Sequence, residues 1–156
     1  MPASGFDIYV SQDGDNPAVE EMAKSYGSKL VHFKRDHSNV IFPAKLDGPQ
    51  SYYHIAQHYK FAIKKIFAQN PNYQRLIMLE EDLEIGPDFF QYMTAMSPLL
   101  DLDPTLFCVS AFSDNGFRGK VTDASMVYRS DFFPGLGWMM SRKYWQEVEP
   151  VWPLGY

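Results

Sequence analysis

Short β-prone runs alternate with stretches of helical spacing along the whole chain, and this alternation limits the fold more than any other feature. Phe6 to Gln12 holds the run Ile8-Tyr9-Val10, a first strand candidate. Asp13-Gly14-Asp15 reads as a turn. Asn16 can cap a helix and Pro17 suits its first position. Val19, Met22 and Ala23 give that helix an apolar stripe, and Gly27 can end it. Leu30 to Phe33 is a second strand candidate, which makes a strand–helix–strand unit, the building block of parallel sheets.

Residues 35 to 49, with Pro43, Gly48 and Pro49, read as a loop. Ser51 to Gln69 is the strongest helix, with Ile55, Tyr59, Ala62, Ile63, Ile66 and Phe67 at helical spacing. Asn70-Pro71-Asn72 stops it. Leu76 to Leu79 reads as a buried central strand that runs straight into Glu80-Glu81-Asp82. Gly86-Pro87-Asp88 opens a further helix, with Phe89, Phe90, Tyr92, Met93 and Met96 as packing candidates. Leu106 to Phe112 is another strand candidate, and Ser113 to Asp123 is polar and loop-like. Phe132 to Met140 is aromatic and glycine-rich, and Ser141 can cap a short helix to Val148. The expected class is α/β, with ligands at the carboxyl ends of the strands. Two polar clusters stand there: Ser11-Gln12-Asp13 and Glu80-Glu81-Asp82.

Composition narrows the class of partner. Apolar residues make up 46% and charged residues 21% of the 156, which excludes a disordered chain. A net charge of −5 argues against nucleic acid as a partner. The single cysteine, Cys108, sits in an apolar stretch and reads as a small buried hydrophobe; no disulfide can form within the chain. No apolar run is long enough to span a membrane, and Met1 to Asp7 lacks the character of a signal peptide. Aromatics reach 16%, which suits either an aromatic-rich core or a protein that packs ring faces on sugars.

Crowded carboxylates repel and raise one another's pKa, and a divalent cation relieves that repulsion. Hard oxygen ligands suit magnesium, calcium or manganese. Such a metal after the third strand could bridge the phosphates of a nucleotide-sugar and stabilise the leaving diphosphate. If the strand continues, Glu80 and Asp82 share one face and Glu81 takes the other. Taken alone, the three acids favour a solvated loop or helix start, continued by Glu84 and Asp88, over a metal site.

Several ordered motifs decide between these readings. Arg75 to Phe90, then Ser110 to Gly116, then Tyr128 to Met139, resemble the N-acetylglucosaminyltransferase I family, alpha-1,3-mannosyl-glycoprotein 2-beta-N-acetylglucosaminyltransferase. Upstream, Ser11-Gln12-Asp13-Gly14 and Tyr52 to Ala62 match the same family in the same order. The resemblance implies a GT-A type nucleotide-diphospho-sugar transferase fold, Rossmann-like, with a mainly parallel sheet flanked by helices. It implies inverting transfer of GlcNAc from UDP-GlcNAc to a mannose of a protein-linked N-glycan, with manganese as the metal. Asp82 then matches the direct metal ligand, Glu80 the acid facing the donor sugar, and Glu81 the acid that contacts the nucleotide. The family's motif is usually Glu-Asp-Asp, so Glu81 carries one extra methylene, a reach of about 1.5 Å. Asp13 matches the acid that contacts uracil, and His58 a histidine of the donor site. Gly135-Leu136-Gly137 matches a loop near the transferred sugar, where glycine lets backbone approach a ligand. Asp114-Asn115-Gly116 reads as a turn without a catalytic role.

On the same resemblance, the general base that deprotonates the mannose hydroxyl lies in a Trp-Asp-Asp-Trp segment expected beyond Tyr156. The family's first nucleotide-binding strand is expected before Met1. The expectation is therefore a single partial catalytic domain over 1–156, the donor-binding part, incomplete at both ends and inactive toward acceptor by itself. Golgi membrane residence on the lumenal side, through an anchor absent from this chain, follows from the family alone. A non-catalytic sugar-nucleotide binding module, or a relative acting on O-mannosyl glycans, are the alternative readings.

Overall fold

A computed structural model describes residues 5–155. The first four residues, part of the segment read above as lacking signal-peptide character, and Tyr156 lie outside them. The chain divides into two compact units. One comprises the residues up to Asn72 together with those from Glu147 onward, and the other is Tyr73–Gln146.

The first unit opens with the expected strand–helix–strand. Strand β1 (Tyr9–Asp13) pairs in parallel with β2 (Val31–Arg35), in a register that sets Asp13 opposite Arg35. Between them runs helix α1 (Pro17–Ser25), with Pro17 in its first turn. The Asn16 side-chain oxygen accepts from the Ala18 N–H at 3.0 Å, a cap as the sequence predicts. The predicted apolar stripe of α1 is narrower in fact: Ala23 is buried while Met22 is 65% exposed.

Helix α2 (Gln50–Gln69) starts within one residue of expectation. Its 20 residues span about 30 Å. Its buried face differs from the predicted one. Tyr53, Ala56, Gln57, Ile63 and Phe67 turn inward, while Ile55 is exposed. The reason is polar. Gln57 is buried because its amide bonds four groups: it donates to the Ile41 and Leu154 carbonyls at 2.7 and 3.0 Å, and accepts from the Ile41 N–H at 2.9 Å and Arg35 at 3.5 Å. A buried amide is tolerable only when satisfied in this way. The segment from Glu147 ties to the same helix. Trp152 donates its indole N–H to the Ala56 carbonyl at 2.9 Å, and Glu149 pairs with Lys64 at 2.8 Å.

The second unit holds strands β3 (Arg75–Met78), β4 (Val109–Ser110) and β5 (Trp138–Ser141), in the order β3-β5-β4 with both pairings antiparallel. Here the expectation of a mainly parallel sheet is corrected: among the strands of the described residues, β1 and β2 pair in parallel and the three-stranded sheet is antiparallel. The central strand is β5, with all four residues buried, and β3 is a half-buried edge strand of its sheet. The predicted strand over Leu106 to Phe112 shrinks to two residues. Helices α3 (Phe89–Met96) and α4 (Leu99–Leu102) cover this sheet. Phe89, Met93, Leu100, Val109 and Met139 form the core, with Ile77, Phe90, Tyr92, Met96 and Leu106 packed on it. Helix α5 (Arg142–Val148) follows β5 directly, and the Ser141 hydroxyl accepts from the Tyr144 N–H at 3.2 Å, the expected cap. No helix among the described residues is long and apolar enough to cross a membrane.

Candidate functional site

In the first unit the polar cluster is built where β1 ends. The chain leaves Asp13 through Gly14, whose φ of +78° suits glycine. A side chain at Gly14 would also meet the His37 ring at 3.0 Å. Buried Gln12 fixes this turn by donating to the Gly14 and Asn16 carbonyls, both at 3.0 Å. Its own oxygen accepts from His32 at 3.1 Å.

One oxygen of the Asp13 carboxylate has three nitrogens near it: Nε2 of His37 at 3.1 Å, Nδ1 of His58 at 3.4 Å and a guanidinium nitrogen of Arg35 at 3.5 Å. Arg35 is buried and aimed by neighbouring acceptors, donating to the His54 carbonyl at 3.3 Å and to Gln57. The His37 and His54 rings lie against each other at a tilt of 58°, their centroids 4.5 Å apart.

His58 carries the most telling geometry. Its Nε2 lies 3.1 Å from the Ser11 carbonyl. A carbonyl only accepts, so Nε2 must hold the proton. Burial keeps the imidazole below its ordinary pKa, outweighing the opposing pull of the Asp13 charge. The ring is then neutral at pH 7, and its Nδ1 is a bare acceptor turned on a carboxylate oxygen 3.4 Å away. Nδ1 is buried and has no hydrogen-bond partner among the described residues. Two acceptors so placed call for a donor between them, an N–H or a cation brought by a ligand.

The second unit places the acidic motif differently from the strand-alternation expectation. β3 stops at Met78, and Glu80 to Leu83 form a turn closed by the Leu83 N–H on the Glu80 carbonyl at 3.3 Å. Glu81 and Asp82 are the exposed middle residues of that turn, and Glu80 is half-buried. Pleat alternation therefore does not sort these side chains. Nor do the three carboxylates converge, since the one group among the described residues with metal-ligand spacing is Asp13, His37 and His54. The donor set still suits a metal that needs one or two carboxylates and takes its other ligands from substrate phosphates. Asp82 is exposed and makes no ion pair or hydrogen bond among the described residues, so its oxygens are available.

The Gly135-Leu136-Gly137 loop is positioned by packing. Phe133 stands edge-on to Trp138 at 4.8 Å, and Phe107 contacts both rings. Gly135 and Gly137 have φ of +73° and +59°. The Ala111 N–H donates to the Gly137 carbonyl at 2.9 Å. Leu136 and Gly137 line an open pocket together with Leu79, Leu83, Phe89 and Ala111. Leu79 and Leu83 flank the acidic turn in the sequence, while Glu80, Glu81 and Asp82 themselves do not line this pocket. Asp114-Asn115-Gly116 is a local turn, the Gly116 N–H bonding the Ser113 carbonyl at 3.0 Å. Cys108, read from the sequence as buried, is half-buried, and burial pushes its thiol up to about 11, which disfavours the reactive thiolate.

Sequence reasoning singled out Asp13 and His58 but not Arg35, His37, His54 or Gln57. His54 and His58 are four apart on one helix, a spacing that shares a face and was a usable signal. Arg35 becomes visible only through the parallel register that sets it beside Asp13.

Comparison with known proteins adds an independent line. A family model described as the GNT-I family matches residues 2–156. An Arabidopsis thaliana protein named alpha-1,3-mannosyl-glycoprotein 2-beta-N-acetylglucosaminyltransferase is 42% identical over 154 residues, covering 99% of this chain and 34% of the relative. The chain spans about a third of the length of that relative.

Proposed function

The chain belongs to the GNT-I family, and from that premise we propose that it is the donor-binding part of an N-acetylglucosaminyltransferase of GT-A type fold, which holds UDP-GlcNAc for inverting transfer to a mannose of a protein-linked N-glycan. The observation that carries this reading is the pair of facing acceptors, the Asp13 carboxylate and the bare Nδ1 of His58. A uracil ring offers one imide N–H between two carbonyl oxygens. Asp13 would accept that N–H, and Arg35, 3.5 Å away, would hold the carboxylate in place.

Asp82 would hold the manganese ion, with Glu81 turned to the nucleotide and Glu80 to the donor sugar. When bound, that metal supplies Lewis-acid stabilisation of the diphosphate as it leaves. The glycine loop at 135–137 would border the transferred sugar, its backbone free to approach closely. In the reaction the bond from the sugar's anomeric carbon to the diphosphate breaks while the mannose hydroxyl forms the new one. The hydroxyl proton passes to a base that no residue of this chain matches. The 156-residue chain would therefore bind donor without turning over acceptor. The parent enzyme would work at the lumenal side of the Golgi membrane.

Calorimetry of UDP-GlcNAc against the chain tests this, with and without manganese. Asp82→Asn should remove the metal-dependent gain in affinity, while Asp13→Asn should weaken binding at every manganese concentration. A folded wild-type chain that binds no donor, or an Asp13→Asn variant that binds like wild type, would defeat the reading.

A further inference from the structure

Three of the chain's four histidines gather around one carboxylate at the end of β1. Asp13, His37 and His54 each present a ligand atom, and these atoms all lie within 4.8 Å of one another. Two ligands on one tetrahedral zinc stand about 3.4 Å apart, given bonds of about 2.0–2.1 Å. His37 Nε2 already lies 3.1 Å from the Asp13 oxygen. The remaining gap is within reach of a side-chain rotation, and exposed His37 has room to make it.

A second observation points the same way. Nδ1 of His54 is buried and has no hydrogen-bond partner among the described residues, as is true of Nδ1 of His58 beside it on α2. Leaving a buried ring nitrogen unsatisfied is costly, and coordination through that nitrogen would remove the cost. We propose that Asp13, His37 and His54 form a binding site for a divalent transition metal of the zinc class, separate from the acidic turn at 80–82.

The local charges select the kind of ion. The Arg35 guanidinium lies 3.5 Å from the same Asp13 oxygen and opposes any cation. A hard ion held by charge alone loses most from that neighbour. An ion that forms strong bonds to imidazole loses least, so zinc, nickel or cobalt is favoured over manganese, magnesium or calcium. Asp13, His37 and His54 fill three positions. His58 Nδ1, 3.4 Å from Asp13, is a further protein donor close by, and a water or exogenous group would otherwise complete the shell. The inference stands apart from the nucleotide reading, since it needs no donor to be bound. If both hold, zinc and the nucleotide compete for Asp13.

The test uses the full chain and the metal alone. Zinc uptake is measured by calorimetry, with cobalt(II) absorption as a spectroscopic probe of coordination. Wild type should take up one equivalent. His37→Gln and His54→Gln should each weaken uptake by more than about tenfold, the lower end of what even losing an outer-sphere partner costs. His32→Gln, which changes the histidine outside the cluster, should leave it unchanged. Circular dichroism confirms that each variant is folded, and His37→Gln, at an exposed position, keeps the test valid if His54→Gln is not. Absence of uptake by folded wild type, uptake unaffected by His37→Gln, or an equal loss in His32→Gln would overturn the proposal.

Discussion

The indole N–H of Trp152 is bonded at 2.9 Å to the carbonyl of Ala56, a residue in the middle of α2 and 96 positions earlier. That carbonyl lies inside a helix, so the bond adds to the helical ladder and does not replace part of it. Its job is to lay the segment from Glu147 against α2. Trp152→Phe keeps an aromatic ring, though a smaller one, and deletes the donor. It should cost about 1 kcal/mol, the net worth of a neutral hydrogen bond, read as a lower urea midpoint with unchanged slope.

Gln57 is the stricter node. Its amide joins the loop at Ile41, the buried Arg35 and the Leu154 carbonyl. Gln57→Ala strands several of these groups at once. A loss of about 2–4 kcal/mol is expected, since each buried group left unsatisfied costs about 1–3 kcal/mol and the loop can rehydrate some of them. Amide exchange at Ile41 should speed up at the same time.

Acid should weaken the first unit through His58. Burial lowers its pKa in the folded chain below the ordinary 6.5. As pH falls through 6.5, the unfolded chain takes a proton that the folded one refuses, so stability drops until the depressed folded value is passed. Above 6.5 both states are neutral and this term vanishes. His58→Gln should flatten the fall of stability with pH in that window, as measured by denaturant midpoints in a pH series. A variant that shows the same slope would mean that other groups govern the acid limb.

Gly137 should resist replacement. Its φ of +59° costs a side-chain-bearing residue about 1–2 kcal/mol, and the added Cβ would sit 3.3 Å from Phe89. Gly137→Ala should therefore lower the thermal midpoint. If the loop borders the donor sugar, it should weaken UDP-GlcNAc more than UDP.

What the sequence disclosed follows from how local each signal is. The caps at Asn16 and Ser141 need only a short polar side chain ahead of a helix, and both stand as expected. The bounds of α2 were legible because apolar spacing and Asn70-Pro71-Asn72 are local too. Its buried face was not, because a satisfied Gln57 looks like a surface residue until Ile41 and Leu154 are folded against it. Strand β5 escaped for a similar reason. Trp138-Met139-Met140-Ser141 has no β-branched residue, and its strand character comes from lying between β3 and β4. The site divides likewise. Asp13 and His58 were found by motif, whereas Arg35 and His37 reach Asp13 only through register and a loop.

The central position of β5 has a consequence for the order of events on the ribosome. β3 emerges early, but neither it nor β4 has a partner in this sheet until Trp138–Ser141 has been made. The stretch that carries α3, α4 and β4 must wait as a collapsed, unpaired intermediate, and its closure is the kind of non-local step that slows folding. Nascent chains halted before Trp138 should therefore engage chaperones, and those halted once Ser141 has cleared the exit tunnel should not.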